Sequence, residues 1–210
     1  MSEAPKVLIL GYSGHAYVVV DALYSVGYKV DGYFEKSIPN QNPFELRYLG
    51  NEEEILGTAQ YREYNAFPAL GDNRLREAVY SKCKGHFSEF LTVIHKEANF
   101  SDYATIGTAS LVCRGANINP MAVIGNGVIL NTSSVVEHEC VVNDFSHIAP
   151  GAVLAGNVHV GAFSFIGANA VIREGVKIGK NVLVGAGSVV IKDVPDNQIV
   201  VGNPAKVLKK

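Results

Sequence analysis

Charge is scarce in this sequence, and long apolar runs are missing. Only 18% of its 210 residues are Asp, Glu, Lys or Arg, and the net charge is −2. A balance so near neutral leaves no electrostatic footprint for nucleic acid or an anionic membrane. No stretch of eighteen consecutive apolar residues offers a membrane-spanning helix. The N-terminus lacks the layout of a signal peptide. Cysteine is rare: Cys83, Cys113 and Cys140 form an odd set without paired spacing. That argues against a disulfide framework and zinc knuckles, so a reducing cytoplasm is the expected compartment. Hydrophobic residues, by contrast, make up 48% of the chain, enough for a large core and for surface buried in an oligomer.

Those hydrophobic residues are placed on a beat of six. From Ile94 to Val190 every sixth position is apolar, seventeen times without an insertion. Four residues after each stands Ala, Ser, Val or Cys, as at Ala116, Ser134, Cys140 and Ser164. Gly follows the apolar residue directly at Gly107, Gly125, Gly161, Gly167, Gly179 and Gly185. A period of six fits neither the helix nor a long alternating strand. It fits a parallel β-helix, each hexad a short strand plus a turn. Three hexads close one triangular coil, with the apolar residue inside and the small residue beside it. Glycine is expected to relax the backbone at the corners. At a strand spacing of roughly 4.8 Å, nearly six coils give a prism roughly 27 Å tall. A β-sandwich is the ordinary alternative, but its loops of varied length would break the beat.

The repeat divides the chain into residues 1–93, 94–195 and 196–210. Lys6 to Leu10 reads as a strand, Val18 to Val26 as a helix and Lys29 to Phe34 as a second strand. Between the first two lies G-Y-S-G-H-A, Gly11 to Ala16. This is a βαβ unit whose turn amides and helix N-terminus suit a phosphate. The motif is weak alone, because Ser13 and Ala16 stand where dinucleotide binders have glycine. Asn51 starts a capped helix, Tyr64 to Leu70 is a further strand, and Asn73 to Cys83 a helix with Arg74, Arg76 and Lys82 on its wet side. Phe87 to Ile94 reads as a last strand. The first domain is thus a small α/β unit, half a dinucleotide fold, with room for one nucleotide and a sugar; a structural cap without ligand is the plain alternative. After Pro195-Asp196-Asn197 breaks the hexads, Ile199 to Val201 is a strand, Gly202 to Ala205 a turn, and Lys206, Lys209 and Lys210 a basic tail.

One stretch of the prism carries chemistry: Asn131 to Cys140, followed by Asp144 and His147. His138 stands two residues past an inward Val136, so it faces outward at a corner with Glu139 beside it. An imidazole next to a carboxylate has what a general base needs. His147 lies half a coil further on. Within one subunit it does not easily meet His138; across the interface of a symmetric trimer it can. A second reading is a metal. His138, His147 and His159 supply three imidazoles, but their spacings of nine and twelve differ from those of prism-shaped zinc enzymes.

With these residues in view, the chain resembles the bacterial nucleotide-amino-sugar acetyltransferases of the PglD and NeuD types. The likeness rests on G-Y-S-G-H, on I-L-N-T-S-S-V-V-E-H-E-C with F-S-H-I beyond it, on A-G-N-V-H-V-G and on V-G-N-P-A-K. The resemblance implies a left-handed coil, a homotrimer with sites between subunits, and acetyl-CoA as co-substrate without a metal. It places the catalytic base on His138 and its supporting carboxylate on Glu139. It places coenzyme A contacts on His147, Ala168 and Ala186, with His147 bonding the thioester. Sugar-nucleotide contacts fall on Ser13, Gly14, His15, Glu35, Lys36 and Gly71. The implied reaction is acetylation of the 4-amino group of a UDP- or GDP-linked sugar; O-acetylation of a sialic-type hydroxyl is the alternative. Glu35 and Lys36 depart from the acidic pair of the compared relative, which leaves the nucleotide base open.

Overall fold

A computed structural model describes residues 6–208. Lys209 and Lys210, the end of the expected basic tail, lie outside them. The N-terminal domain holds three parallel strands, β1 (Lys6–Leu10), β2 (Lys29–Phe34) and β3 (Asn65–Pro68), in the order β2-β1-β3. Helix α1 (Gly14–Ser25) joins β1 to β2, and α2 (Asn73–Cys83) follows β3. Helix α1 opens a turn earlier than the apolar pattern predicts, because Ala16 N–H donates to the Ser13 carbonyl at 2.8 Å and closes a first turn through Gly14. Asn51 does cap, but only a single 3-10 turn, Glu52–Ile55, in which Glu54 returns the bond.

Two further expectations fail for stated reasons. Residues 87–92 do not form a strand: they run beside β3 with a single bridge, Ala66 to Phe90. Phe87 and Phe90 both turn into the core and meet edge to face at 5.8 Å, a spacing of three that strand alternation does not allow. Arg76, expected on the wet face of α2, is 0% exposed. The helix packs on its own domain and on the prism at once, so it has less free surface than an amphipathic pattern assumes.

From Val93 onward the chain winds as a parallel β-helix. Up to Val171–Ile172 each two-residue strand pairs with the strand eighteen residues on, as Val135 with Val153 and Ile129 with His147, whereas Leu183 pairs with Ile199, sixteen on. The three faces are sheets of eight, six and five strands. Inward residues such as Val136, Val142, Ile148 and Leu154 are 0% exposed and fill the axis. Burying each contributes roughly 1.5–3 kcal/mol. The inward hydroxyls of Ser110, Ser146 and Ser164 donate to the carbonyls of Gly125, Gly161 and Gly179 at 2.7–2.9 Å, which settles polar groups inside an apolar prism.

Glycine relaxes the corners as expected at Gly115, Gly127, Gly151, Gly175 and Gly187, whose φ is 61–71°, but the glycines directly after the inward residue have a different task. They are not in the left-handed region. A methyl on Gly161 would lie 2.5 Å from the Gly179 carbonyl carbon, so glycine there lets one coil rest on the next. The left-handed residue of the corner is the third after the inward one: Ser133, Glu139, Phe145, Asn157, Asn169 and Asn181 all have φ of 54–60°.

The N-terminal domain sits on the eight-stranded face. Leu111 and Cys113 of that face share one apolar cluster with Val7, Val19, Val20 and Leu23. That leaves two faces, and the corner between them, open.

Candidate active site

His138 stands at the open corner between the six-stranded and five-stranded faces, after Val135–Val136 and before Val141–Val142. Its side chain is 56% exposed, and its Nδ1 lies 3.1 Å from Glu139 Oε2. The carboxylate is an acceptor, so this contact assigns the ring proton to Nδ1 and leaves the Nε2 lone pair as the basic atom. Glu139 reaches the ring because its backbone takes the left-handed corner conformation, φ 60°. One coil on, Gly156 underlies the imidazole: a methyl there would sit 2.6–2.7 Å from Cε1 and Nε2. Sequence reasoning left Gly156 without a role, although its place eighteen residues after His138 marks it.

His147 is on a different face, the one covered by the N-terminal domain, and is buried. Its Nδ1 lies 3.3 Å from the Gly71 carbonyl and its Nε2 3.0 Å from Asn131 Nδ2. Phe165 meets its ring edge at 4.9 Å. Burial first, then the charge of Arg76, pushes its pKa down to about 3, so the ring is neutral. A neutral ring facing a carbonyl at Nδ1 must donate there, and Nε2 must then accept from Asn131. Both nitrogens are thereby engaged inside the chain, and their neighbour Asn131 has a hydrogen to spare. Its Oδ1 accepts from Thr132 N at 2.7 Å and its Nδ2 gives one hydrogen to His147, leaving a second amide hydrogen. Asn131, a residue to which the sequence reading gave no role, therefore stands beside His147 with one amide hydrogen unspent.

Ala168 and Ala186 stand two residues past Ile166 and Val184, on the corner beside His147 rather than that of His138. They stack through Gly187 N–H, which donates to the Ala168 carbonyl at 2.8 Å. His159 is on the five-stranded face with its Nε2 3.3 Å from Asn157 Oδ1. The three histidines weighed as zinc ligands therefore occupy a corner and two faces, and one chain does not gather them.

In the N-terminal domain a cavity of about 300 Å³ opens past the ends of β1 and β2, lined by Gly11, Glu35, Lys36 and Leu70 among others. Such crevices at the carboxyl ends of parallel strands are where ligands bind. Glu35 shapes it: Oε2 accepts from Tyr12 N at 2.9 Å and Oε1 from Lys36 N at 2.9 Å. Its carboxylate thus pins the Gly11–Tyr12 turn. Ser13 and Gly14 open α1 exposed, and the Ser13 hydroxyl makes no capping bond. His15 lies with its ring 6.1 Å from that of His147, and burial lowers its pKa to about 4. Its Nε2 is buried without a hydrogen-bond partner. Gly71 completes the group, its carbonyl shared by His147 and Arg76. His15 and Gly71 thus meet His147, with Ser13 and Gly14 just before His15 in the chain, while Glu35 and Lys36 line the cavity beside Gly11. Replacing Glu35 with Ala removes the acceptor of two backbone N–H groups, a loss of roughly 1–3 kcal/mol. Calorimetric titration with a nucleoside diphosphate should show binding weaker by about tenfold or more, with Gln in its place intermediate.

A glycine-turned α/β domain docked on a hexapeptide β-helix, with an outward imidazole–carboxylate pair, defines an acyltransferase of the hexapeptide-repeat class. Comparison with known proteins narrows this. Residues 6–83 match the PglD N-terminal domain family, and residues 157–192 the bacterial transferase hexapeptide family. The acetyltransferase domain of PglB from Neisseria gonorrhoeae, solved with acetyl coenzyme A, is 31% identical, with 98% of this chain and 100% of that one covered and a TM-score of 0.91. PerB from Caulobacter crescentus, solved with CoA and GDP-perosamine, is 34% identical over 97% of each chain, with a TM-score of 0.91. WeeI from Acinetobacter baumannii is 26% identical over 98% of this chain and 100% of that one, with a TM-score of 0.82. The chain belongs to the PglD-type family of hexapeptide-repeat acetyltransferases.

Proposed function

We propose that this protein transfers the acetyl group of acetyl-CoA to the amine of a nucleotide-linked 4-amino sugar. The observation that carries the reading is the His138–Glu139 pair at 3.1 Å on an open prism corner, in a chain that also carries a PglD N-terminal domain with a cavity beside Glu35 and Lys36. The nucleotide occupies the cavity beside Glu35 and Lys36, and its diphosphate lies against Ser13, Gly14 and His15. The unpartnered Nε2 of His15 and the start of α1 suit such an anion. Two similar structures hold CoA or acetyl-CoA, one of them together with a GDP-sugar.

In this mechanism Nε2 of His138 removes a proton from the amine as its nitrogen attacks the thioester carbonyl. The C–N bond forms, the C–S bond breaks, and the proton passes to the departing thiolate. Glu139 stabilises the imidazolium in between. The free amide hydrogen of Asn131 meets the thioester oxygen as charge develops there. Holding both substrates in line supplies much of the acceleration, so no covalent enzyme intermediate is needed.

Since His138 and the His147 group occupy different sides of one prism, the complete site takes His138 from one copy and His147, Ala168, Ala186 and the N-terminal domain from its neighbour in a homotrimer. Three buried free thiols, Cys83, Cys113 and Cys140, support a reducing cytoplasm, where nucleotide sugars for glycan assembly are made.

A thermal-shift panel of UDP-, GDP- and dTDP-linked amino sugars, each with acetyl-CoA, tests the reading. A ligand at a hundred times its Kd adds about 2.7 kcal/mol to stability. One nucleotide sugar should raise the midpoint and become N-acetylated. Acetylation of free hydroxyl acceptors with no nucleotide effect would favour the O-acetyl reading instead.

A further inference from the structure

Arg76 heads the fully buried side chains of the described residues by size. Taking a guanidinium out of water is costly unless each N–H finds an acceptor. Here they do. From α2 the side chain reaches into the junction of the two domains. Its Nε donates to the Gly127 carbonyl at 2.8 Å, and Nη2 to Asn73 Oδ1 at 2.8 Å and to the Phe145 and Ser146 carbonyls at 3.2 and 3.4 Å. Nη1 turns the other way and donates to the Leu70 and Gly71 carbonyls at 3.0 and 3.2 Å. Every one of these acceptors is a neutral oxygen. Burial lowers the guanidinium to about 10, with Asp72 acting in the opposite sense, so it stays charged at neutral pH.

The Gly71 carbonyl is the junction of interest. The same oxygen accepts from Arg76 Nη1 and from His147 Nδ1. A chain of bonds therefore runs from Arg76 through Gly71 and His147 to Asn131, crossing from the nucleotide domain into the prism. Only a planar fork can hold the Leu70 and Gly71 carbonyls on one side and the prism carbonyls on the other.

We propose that Arg76 is a positioning residue for the acetyl transfer, fixing the Gly71 carbonyl so that His147 keeps its proton on Nδ1 and turns Nε2 to Asn131. The proposal rests on the reading above, in which Asn131 meets the thioester oxygen. A rivet that merely holds two domains together would affect stability but not the position of one ring proton.

The test uses the full chain with isotope-labelled histidine, as wild type, Arg76→Lys and Asn73→Ala. Ring-nitrogen NMR signals report the His147 tautomer, and steady-state kinetics report kcat and KM. Wild type should show a neutral ring protonated on Nδ1. Lysine keeps the charge and loses the fork, so Arg76→Lys should give a mixture of the two tautomers and a kcat lower by about tenfold, with KM for acetyl-CoA within about twofold. Asn73→Ala, which removes one of the three acceptors of Nη2 together with the bonds Asn73 gives to the Phe163 and Ser164 carbonyls, should move both readouts the same way by about threefold. A folded Arg76→Lys protein with the wild-type His147 signals, or with mixed tautomers and an undiminished kcat, would overturn the proposal. If Arg76→Lys does not fold, Asn73→Ala decides by the same criteria. Should the wild type acetylate no nucleotide sugar, the proposed function fails, and the nitrogen signals still show whether Arg76 sets the tautomer.

Discussion

Replacing His138 with Ala should lower turnover by about two to four orders of magnitude, the usual worth of a general base. In barrier terms that is roughly 3–5 kcal/mol. Stability should barely change, because the ring is 56% exposed and its one polar partner, Glu139, is 64% exposed. A surface pair of this kind is worth ~1 kcal/mol or less to folding. Thermal melting of the variant alongside wild type, with initial rates at saturating acetyl-CoA, checks both halves of this expectation. Glu139→Gln keeps a hydrogen-bond acceptor but removes the negative charge that stabilises the imidazolium. It should cost less than His138→Ala, about tenfold in kcat. If His138→Ala melted like wild type and turned over within a few-fold of it, the base would have to be sought elsewhere.

The second large effect concerns the prism itself. Gly161→Ala should destabilise the protein by about 3 kcal/mol, at the upper end of what one added methyl costs in a packed interior. The added methyl would lie 2.5 Å from both the carbon and the oxygen of the Gly179 carbonyl and 2.6 Å from Lys180 N. All three are backbone atoms of the next coil, held at the ladder spacing by Gly161 N–H, which donates to the Ile178 carbonyl at 2.8 Å. Neither coil can give way without breaking bonds above and below it. For a chain of this size the midpoint should fall by roughly 6–12 °C. Gly175 supplies the control: its φ is 71°, but nothing lies within 4 Å of an added methyl. Gly175→Ala should therefore cost only the left-handed penalty, about 1–2 kcal/mol, and Gly175→Asn less. Equal melting of Gly161→Ala and wild type would mean the coils are not stacked as described.

The prism was legible because its rule is local. An apolar residue every six positions and a small one four later follow from strand length and corner sterics, with no knowledge of what packs outside. The corner conformation was less so. Asn157, Asn169 and Asn181 announce a left-handed residue, but Phe145 and Phe163 occupy equivalent places. Those two rings stack at 5.9 Å with 11° between their planes, and Arg74 lies over Phe163 at 3.9 Å. Contacts with a second domain there override the local preference. Arg76 was misplaced for the same reason: helical periodicity assigns one buried face, and α2 has two.

The site divides along the same line. His138 and Glu139 are neighbours in sequence, and their pairing could be read from the corner they share. The network of Gly71, His147 and Asn131 could not. Gly71 and His147 are 76 residues apart, and which ring nitrogen carries the proton depends on a carbonyl from the other domain. Hence sequence alone could not show that the two nitrogens of His147 face Gly71 and Asn131.

The most direct measurement is a crystal structure of the protein with CoA and its nucleotide-linked amino sugar bound together. It should show His138 Nε2 about 3 Å from the sugar amine, with the nucleotide held by the N-terminal domain of the adjoining copy. A structure in which every His138 ring faces bulk solvent, remote from both ligands, would contradict it.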